Sequence, residues 1–380
     1  WQHSSLELPT HYMISCFWEG QEGSFLLWTF WNIILGSILM KTCKTWEPTV
    51  LTIVSVIQVF LVSMILGIYV FGIKLGSSPF VLIRNLEENV GLPWTELVNY
   101  LQVVPQFLDG KGLNPLLQNY WMVIHPPILF LGFALTMIPF SFAISGLWKK
   151  QYSEWIEEAL PWTYAGIMVL GTGILMGGAW AYEALSFGGY WAWDPVENSS
   201  LVPWIILIAA AHLMLIHRAR KTALPTTIAL TILAFILIIY STYLTRSGIL
   251  GDTSVHAFAG GLSSQLLVYL LTFTFASILL FFIRLRNIPT TKKDDNTSSR
   301  EFWMFIASMV LFISAFQITW FTSLPVINKV FGTNMAPPLD AIALYNSWQT
   351  PLALMIVFLV GITQYLSYKK TDIKKLIKQI

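Results

Sequence analysis

The sequence predicts an all-α fold, a polytopic bundle of about nine membrane-crossing helices with a tryptophan-rich loop at one face. Three observations carry this. The 380 residues are 55% hydrophobic and only 11% charged, where a soluble domain carries about 25% charged residues. The apolar residues fall in long runs, as a hydrocarbon layer about 30 Å thick demands, rather than in narrow amphipathic stripes. The basic residues, finally, alternate between consecutive connecting segments.

Taken in order, the expected spans are 24–40, 49–73, 126–148, 160–179, 199–217, 225–244, 265–283, 302–323 and 350–368. The third opens on the pair Pro126-Pro127 and the fifth on Asp194-Pro195. One set of connections holds Lys41, Lys44, Lys149, Lys150, Arg218, Arg220, Lys221, Arg284, Arg286, Lys292, Lys293, Arg300 and the five lysines of the tail. The other set holds only Lys74, Arg84, Lys111, Arg246 and Lys329. Basic connections stay on the cytoplasmic side, which puts the N-terminus outside and the C-terminus inside. The outer segments are then 1–23, 74–125, 180–198, 245–264 and 324–349, and all the Gly-rich and aromatic-rich sequence lies there. Function is expected on that face. The mixed segment 95–120 is too short to span and reads as one or two short helices along the outer interface.

Cys16 and Cys43 form no CxxC pair, and the topology separates them by the membrane. No P-loop, Rossmann motif or fixed repeat is present, and a net charge of +2 that follows topology gives no reason to expect nucleic acid. The chain begins at Trp1 and ends on a cytoplasmic-type lysine flank, so it reads as truncated at both ends.

Among six histidines, His3 and His11 read as interfacial residues. His125 opens HPPILFLGF. The residue before proline is pushed away from helical geometry, so His125 is expected in an extended conformation at the mouth of the third span, either as a cap or as a ligand. His256, in RSGILGDTSVHAFAGG, lies on a second outer loop; the two could bracket a metal or heme iron or be unrelated. His212 is an ionisable residue within the fifth span, which marks function by default, and Ala209, Ala210 and Ala211 would leave room for a bulky group. His217 reads as a flank residue beside Arg218.

The stretch SFGGYWAWDPVENSS divides in two. Asp194 suits an N-cap, Pro195 the first helical position, and Glu197 the capping-box position. The preceding Gly188 and Gly189 permit close approach of a ligand. With Trp180, Tyr182, Tyr190, Trp191 and Trp193, they read as a platform for a flat ligand, heme above all, rather than as a simple aromatic belt.

GGYWAWDPVEN resembles the tryptophan-rich WWD signature of the heme-handling proteins of cytochrome c biogenesis. With NPLLQNYWMVIHPPILFLGF, TRSGILGDTSVHAFA and ELPTHYMISCFWEGQEGSFLLW in the same order, the chain resembles the cytochrome c maturation protein F (CcmF) family. The resemblance runs through nearly the whole chain. It implies a heme lyase subunit of a bacterial inner membrane with a periplasmic active face. His125 and His256 would hold substrate heme beside the Trp-rich loop, 180–198, and His212 would be one axial ligand of a second heme b within the bilayer. The resemblance further implies a heme carrier protein, apocytochrome c with its CXXCH thiols, a thiol-handling partner subunit, lipid, and quinol as electron source. Asp194 belongs to the heme loop, and Arg246 is a candidate for a heme propionate. Tyr190 stands where the family often has Trp. No histidine follows His256, so the His212 partner is expected in a part of the chain not present, the alternative being that Met355 or another residue substitutes. A heme transporter or relay, or a CcsA/ResC-type synthase subunit, is the alternative.

Overall fold

The computed structural model describes residues 1–184, 189–251, 254, 261–291 and 297–372. Its helices are α1 (Thr10–Ser15), α2 (Gln21–Thr42), α3 (Glu47–Ser63), α4 (Tyr100–Val103), α5 (Tyr120–Lys149), α6 (Trp155–Ala184), α7 (Pro195–Arg220), α8 (Leu224–Arg246), α9 (Ser263–Leu285), α10 (Arg300–Thr322), α11 (Leu324–Phe331) and α12 (Ala341–Thr363). Setting aside the short α1, α4 and α11, nine helices among the described residues are long and apolar enough to cross a membrane. This is a multi-pass membrane protein. The strands among the described residues are β1 (Ile68–Val70) and β2 (Ile73–Leu75), an antiparallel hairpin.

α5 is the hub. Its most apolar window is 83% buried against 11% for α12 at the rim, and it packs on α2, α3, α6, α8 and α9. α7 packs on α6, α8 and α10, while α12 packs chiefly on α10. At the α5–α6 contact, a side chain at Gly132 would collide with the Leu170 backbone and one at Gly173 would press on Leu129, so a glycine on each helix lets the backbones approach closely, as membrane helices favour.

α5 keeps its helix through Pro126, Pro127 and Pro139. The expectation that His125 would be extended is therefore overturned, and the reason is local chemistry supplied from afar. Pro126 has no N–H, so the Met122 carbonyl loses its helical donor. The Trp18 indole N–H takes that place, donating to Met122 O at 3.0 Å. Trp31 Nε1 similarly donates to Pro127 O at 3.0 Å, but that carbonyl has an ordinary helical donor as well. Trp18→Phe is thus expected to destabilise the fold by about 1–3 kcal/mol, the cost of an unmet buried carbonyl. Trp31→Phe should cost less. Thermal unfolding of the two variants in detergent distinguishes them, and an equal effect would reject the proline-rescue explanation.

The connections gather at two ends. At the basic end, Lys149 Nζ donates to Thr45 O at 3.0 Å. The Arg220 Nε donates to Glu301 Oε2 at 2.8 Å and the Thr222 hydroxyl to Glu301 Oε1 at 2.5 Å. His217 is not a solvated flank: it is buried, its Nδ1 bonded to Thr222 O and its Nε2 to Ser153 Oγ. Cys16 and Cys43 are free, buried, and at opposite ends of α2.

At the loop-rich end, the apolar run read as reaching residue 73 is helical only to Ser63 and continues as the hairpin. The 95–120 segment forms α4 and single helical turns at 105–107 and 115–117, tied to the N-terminal segment through Lys111 N–H to Trp1 O and Leu6 N–H to Asp109 Oδ1. His3 hydrogen-bonds Glu19, which holds its imidazole above the ordinary range.

Candidate functional site

The loop between α6 and α7 is fixed at its downstream end by a helix cap. Asp194 accepts from the Val196 N–H at 2.8 Å, and Glu197 Oε2 accepts from the N–H groups of Ala192 and Asp194, completing the expected capping box. The same Asp194 carboxylate accepts from Ser254 Oγ at 2.8 Å. Asp194 is therefore spent on caps and ties, and through Ser254 it fastens the α8–α9 connection to the Trp-rich one. His256 and Gly188 lie outside the described residues.

Among the described residues the aromatic side chains do not form one continuous platform. Tyr190 stacks on Tyr182 at 4.3 Å and 4°. Trp193 stacks on Tyr345 of α12 at 5.0 Å and 15°, and its indole N–H donates to Asn346 Oδ1 at 2.9 Å. It sits at φ 57°, an uncommon conformation for a non-glycine residue, with its carbonyl held by Asn198 Nδ2. Trp191 meets Trp193 edge-on at 5.9 Å. The Trp191 and Trp180 indole nitrogens are buried without a hydrogen-bond partner among the described residues. A side chain at Gly189 would meet nothing within 4 Å, so the space beside it is open but no close backbone approach demands glycine there.

His125 faces α6. Its Nδ1 lies 2.9 Å from Gly173 O, and its ring meets Trp180 edge-on at 5.8 Å. A carbonyl only accepts, so Nδ1 carries the proton and Nε2 keeps the lone pair. This is the arrangement by which a second partner fixes the tautomer of an iron-ligating imidazole. The ring fits there because Gly177 has no side chain; a Cβ would stand 2.9 Å from His125 Cε1. Gly173 and Gly177 are site residues that the sequence reading missed. Their only signal was their spacing, which matches ordinary helix packing equally well.

His212 is half-buried on α7, and its Nδ1–H donates to Ile208 O at 2.8 Å. This again leaves Nε2 as the basic nitrogen. Ala209, Ala210 and Ala211 do not leave room for a ligand, because they are buried in helix packing. Ser308 Oγ reaches Ala209 O. Arg246 is directed at α2, where Nη2 donates to Ser24 Oγ at 3.2 Å, and Gln21 Nε2 donates to the Arg246 carbonyl. Among the described residues no group of three or more His, Cys, Asp or Glu side chains could hold a metal ion. Two imidazoles with fixed tautomers and two unpartnered indole donors suit heme, an iron flanked by propionate acceptors, better than a bare cation.

Comparison with known proteins fits this chemistry. CcmF of Haemophilus influenzae, named a cytochrome c-type biogenesis protein, is 34% identical over 93% of this chain and 51% of its own length. The Escherichia coli protein of that name is 31% identical over 87% of this chain and 47% of its own. A solved structure of Cytochrome c Heme Lyase CcmF superposes with a TM-score of 0.69 at 25% identity, covering 96% of this chain and 50% of that one. The chain spans about half the length of the curated relatives it matches. The family described as Cytochrome C assembly protein matches residues 18–250, more than half of the chain, and to that family the chain belongs.

Proposed function

We propose that this chain is the heme-handling part of a cytochrome c heme lyase. It would receive heme from a carrier protein on the extracytoplasmic face of a bacterial inner membrane and present it to the CXXCH thiols of apocytochrome c, themselves kept available by a thiol-handling partner. The observation that carries the reading is the locked His125 tautomer beside Trp180.

Heme is the substrate. His125 would hold its iron through Nε2, and His256 would approach from the loop that Ser254 fastens to Asp194. Trp191 would lie against the macrocycle, and the Trp180 and Trp191 N–H groups suit its propionates as charge-assisted donors. Arg246, occupied with Ser24, is the lesser candidate for that role. In thioether formation each cysteine S–H adds across a vinyl C=C: an S–C bond forms, the π bond breaks and the other carbon takes the hydrogen. No group leaves, so holding heme and thiols in register supplies most of the acceleration. His212 Nε2 would hold a second, resident heme b, which would supply electrons drawn from quinol to keep the substrate iron ferrous.

The test is spectroscopic. The purified protein is expected to show a reduced b-type spectrum that His212→Ala abolishes, and to take up further hemin. Trp191→Ala should weaken that uptake about two- to tenfold, matching the 0.5–1.5 kcal/mol of a lost aromatic contact. A spectrum unchanged in His212→Ala removes that residue from the assignment.

A further inference from the structure

The hairpin β1–β2 is two-faced. Directly opposed residues of an antiparallel pair share a face. The pairs Ile68 with Leu75 and Val70 with Ile73 therefore make one wholly apolar face, and Tyr69 with Lys74 makes the other. The polar face is engaged. Lys74 Nζ contacts Glu87 Oε1 at 2.5 Å, the Tyr69 hydroxyl donates to the same oxygen at 3.4 Å, and the three line a cavity of about 660 Å³. On the apolar face, Ile68, Val70 and Ile73 are exposed, and Phe71, at the two-residue turn, is entirely so.

Position says what covers it. The hairpin is bolted to the ends of two membrane helices. Ser77 N–H donates to Met64 O, the Gly76 N–H donates to Gln265 Oε1, and Gln265 Nε2 donates to Ser63 Oγ. Gly76, at φ 70°, is where the backbone presses against Ser63 and Met64, leaving no space for a side chain. The hairpin thus cannot swing far from the ends of α3 and α9. The crossing helix that ends at Ser63 begins at Lys44 and has 20 residues, about 30 Å of helix, which matches a hydrocarbon layer of about 30 Å. The residues that follow it, still apolar through Leu66 and Ile68, therefore start at the edge of the hydrocarbon layer. The outer edges of β1 and β2 carry unpaired backbone groups in this two-stranded sheet. Unpaired backbone cannot enter hydrocarbon, which bounds the hairpin to the headgroup–acyl boundary.

We infer that the Ile68/Val70/Ile73 face, with Phe71 at its tip, is a lipid-seated anchor lying in the headgroup–acyl boundary of the bilayer. Its opposite face forms one wall of the neighbouring cavity, so the bilayer surface fixes where that wall stands. The inference is independent of the heme reading.

Spin labels introduced at Val70→Cys, Ile73→Cys and Tyr69→Cys test it in the full chain, reconstituted in phosphatidylcholine–phosphatidylglycerol nanodiscs. Cys16 and Cys43 are buried, and the unsubstituted protein supplies the labelling background. The expected result is collision with oxygen exceeding that with nickel(II) EDDA several-fold at 70 and 73, and the reverse order at 69. Nickel exceeding oxygen at 70 and 73 would overturn the proposal, because the face would be in water. Exclusion of both agents there would overturn it too, because protein would cover the face. Ile68→Cys reports on the same face should either variant fail to fold.

Discussion

His125→Ala is expected to lower the rate of thioether formation by about 10²-fold or more, the penalty for losing the geometry of a reacting group. The helix itself should survive, since the turn at Met122 depends on Trp18 and not on the imidazole. The measurement is cytochrome c assembly in cells whose only copy is the variant, paired with hemin titration of the purified protein. Gly177→Ala makes the test sharper. It retains the histidine but places a Cβ 2.9 Å from Cε1, so the ring must turn away from Gly173 O. Losing the partner that orients a ligating imidazole costs about 10–100-fold in metal affinity, so Gly177→Ala should fall between the native protein and His125→Ala and alter the heme spectrum. Native activity and spectrum in His125→Ala would end the proposed assignment.

Glu301→Ala should produce the largest loss of stability. The carboxylate is 1% exposed and is the shared acceptor for Arg220 and Thr222. Removing one member of a buried ion pair costs about 3–5 kcal/mol because the remaining charge is stranded in a poor solvent. The Arg220 side chain is 18% exposed, which places the expectation toward the lower end. Replacing both partners by leucine should recover much of the loss, since an apolar pair carries no desolvation penalty. Detergent unfolding midpoints of the single and double variants check this. A double variant no more stable than Glu301→Ala would show that the pair contributes more than mutual neutralisation.

The parts of this molecule written into the sequence are those a short window decides. A bilayer imposes long apolar runs, so nine crossing helices were legible from hydropathy. The cap at Asp194 was legible because its donors lie within four residues. What escaped depends on partners distant in sequence. His125 was expected to be extended because the dipeptide rule knows nothing of Trp18, 104 residues away. The three alanines before His212 looked like space for a ligand, but they are buried against the neighbouring helices, Ala209 beside Ser308 of α10. The aromatic loop read as one platform, whereas Trp193 is claimed by Tyr345 and Asn346 and Tyr190 by Tyr182. Composition announces that flat faces are present but not which are already covered. His217 was misjudged for the same reason: its neighbours in sequence are basic and solvated, while its neighbours in space are Ser153 and Thr222.

The bond from Trp193 to Asn346 also sets an order in time. The two residues are 153 positions apart, which at 5–20 residues per second amounts to roughly 8–30 s of synthesis. Until α12 emerges and inserts, Trp193 has neither its stacking partner nor its acceptor, and a non-glycine residue at positive φ has little to keep it there. Trp193 therefore cannot settle while the earlier helices are being delivered to the membrane. Trp193 reaches its stacked, hydrogen-bonded position only after α12 is in place.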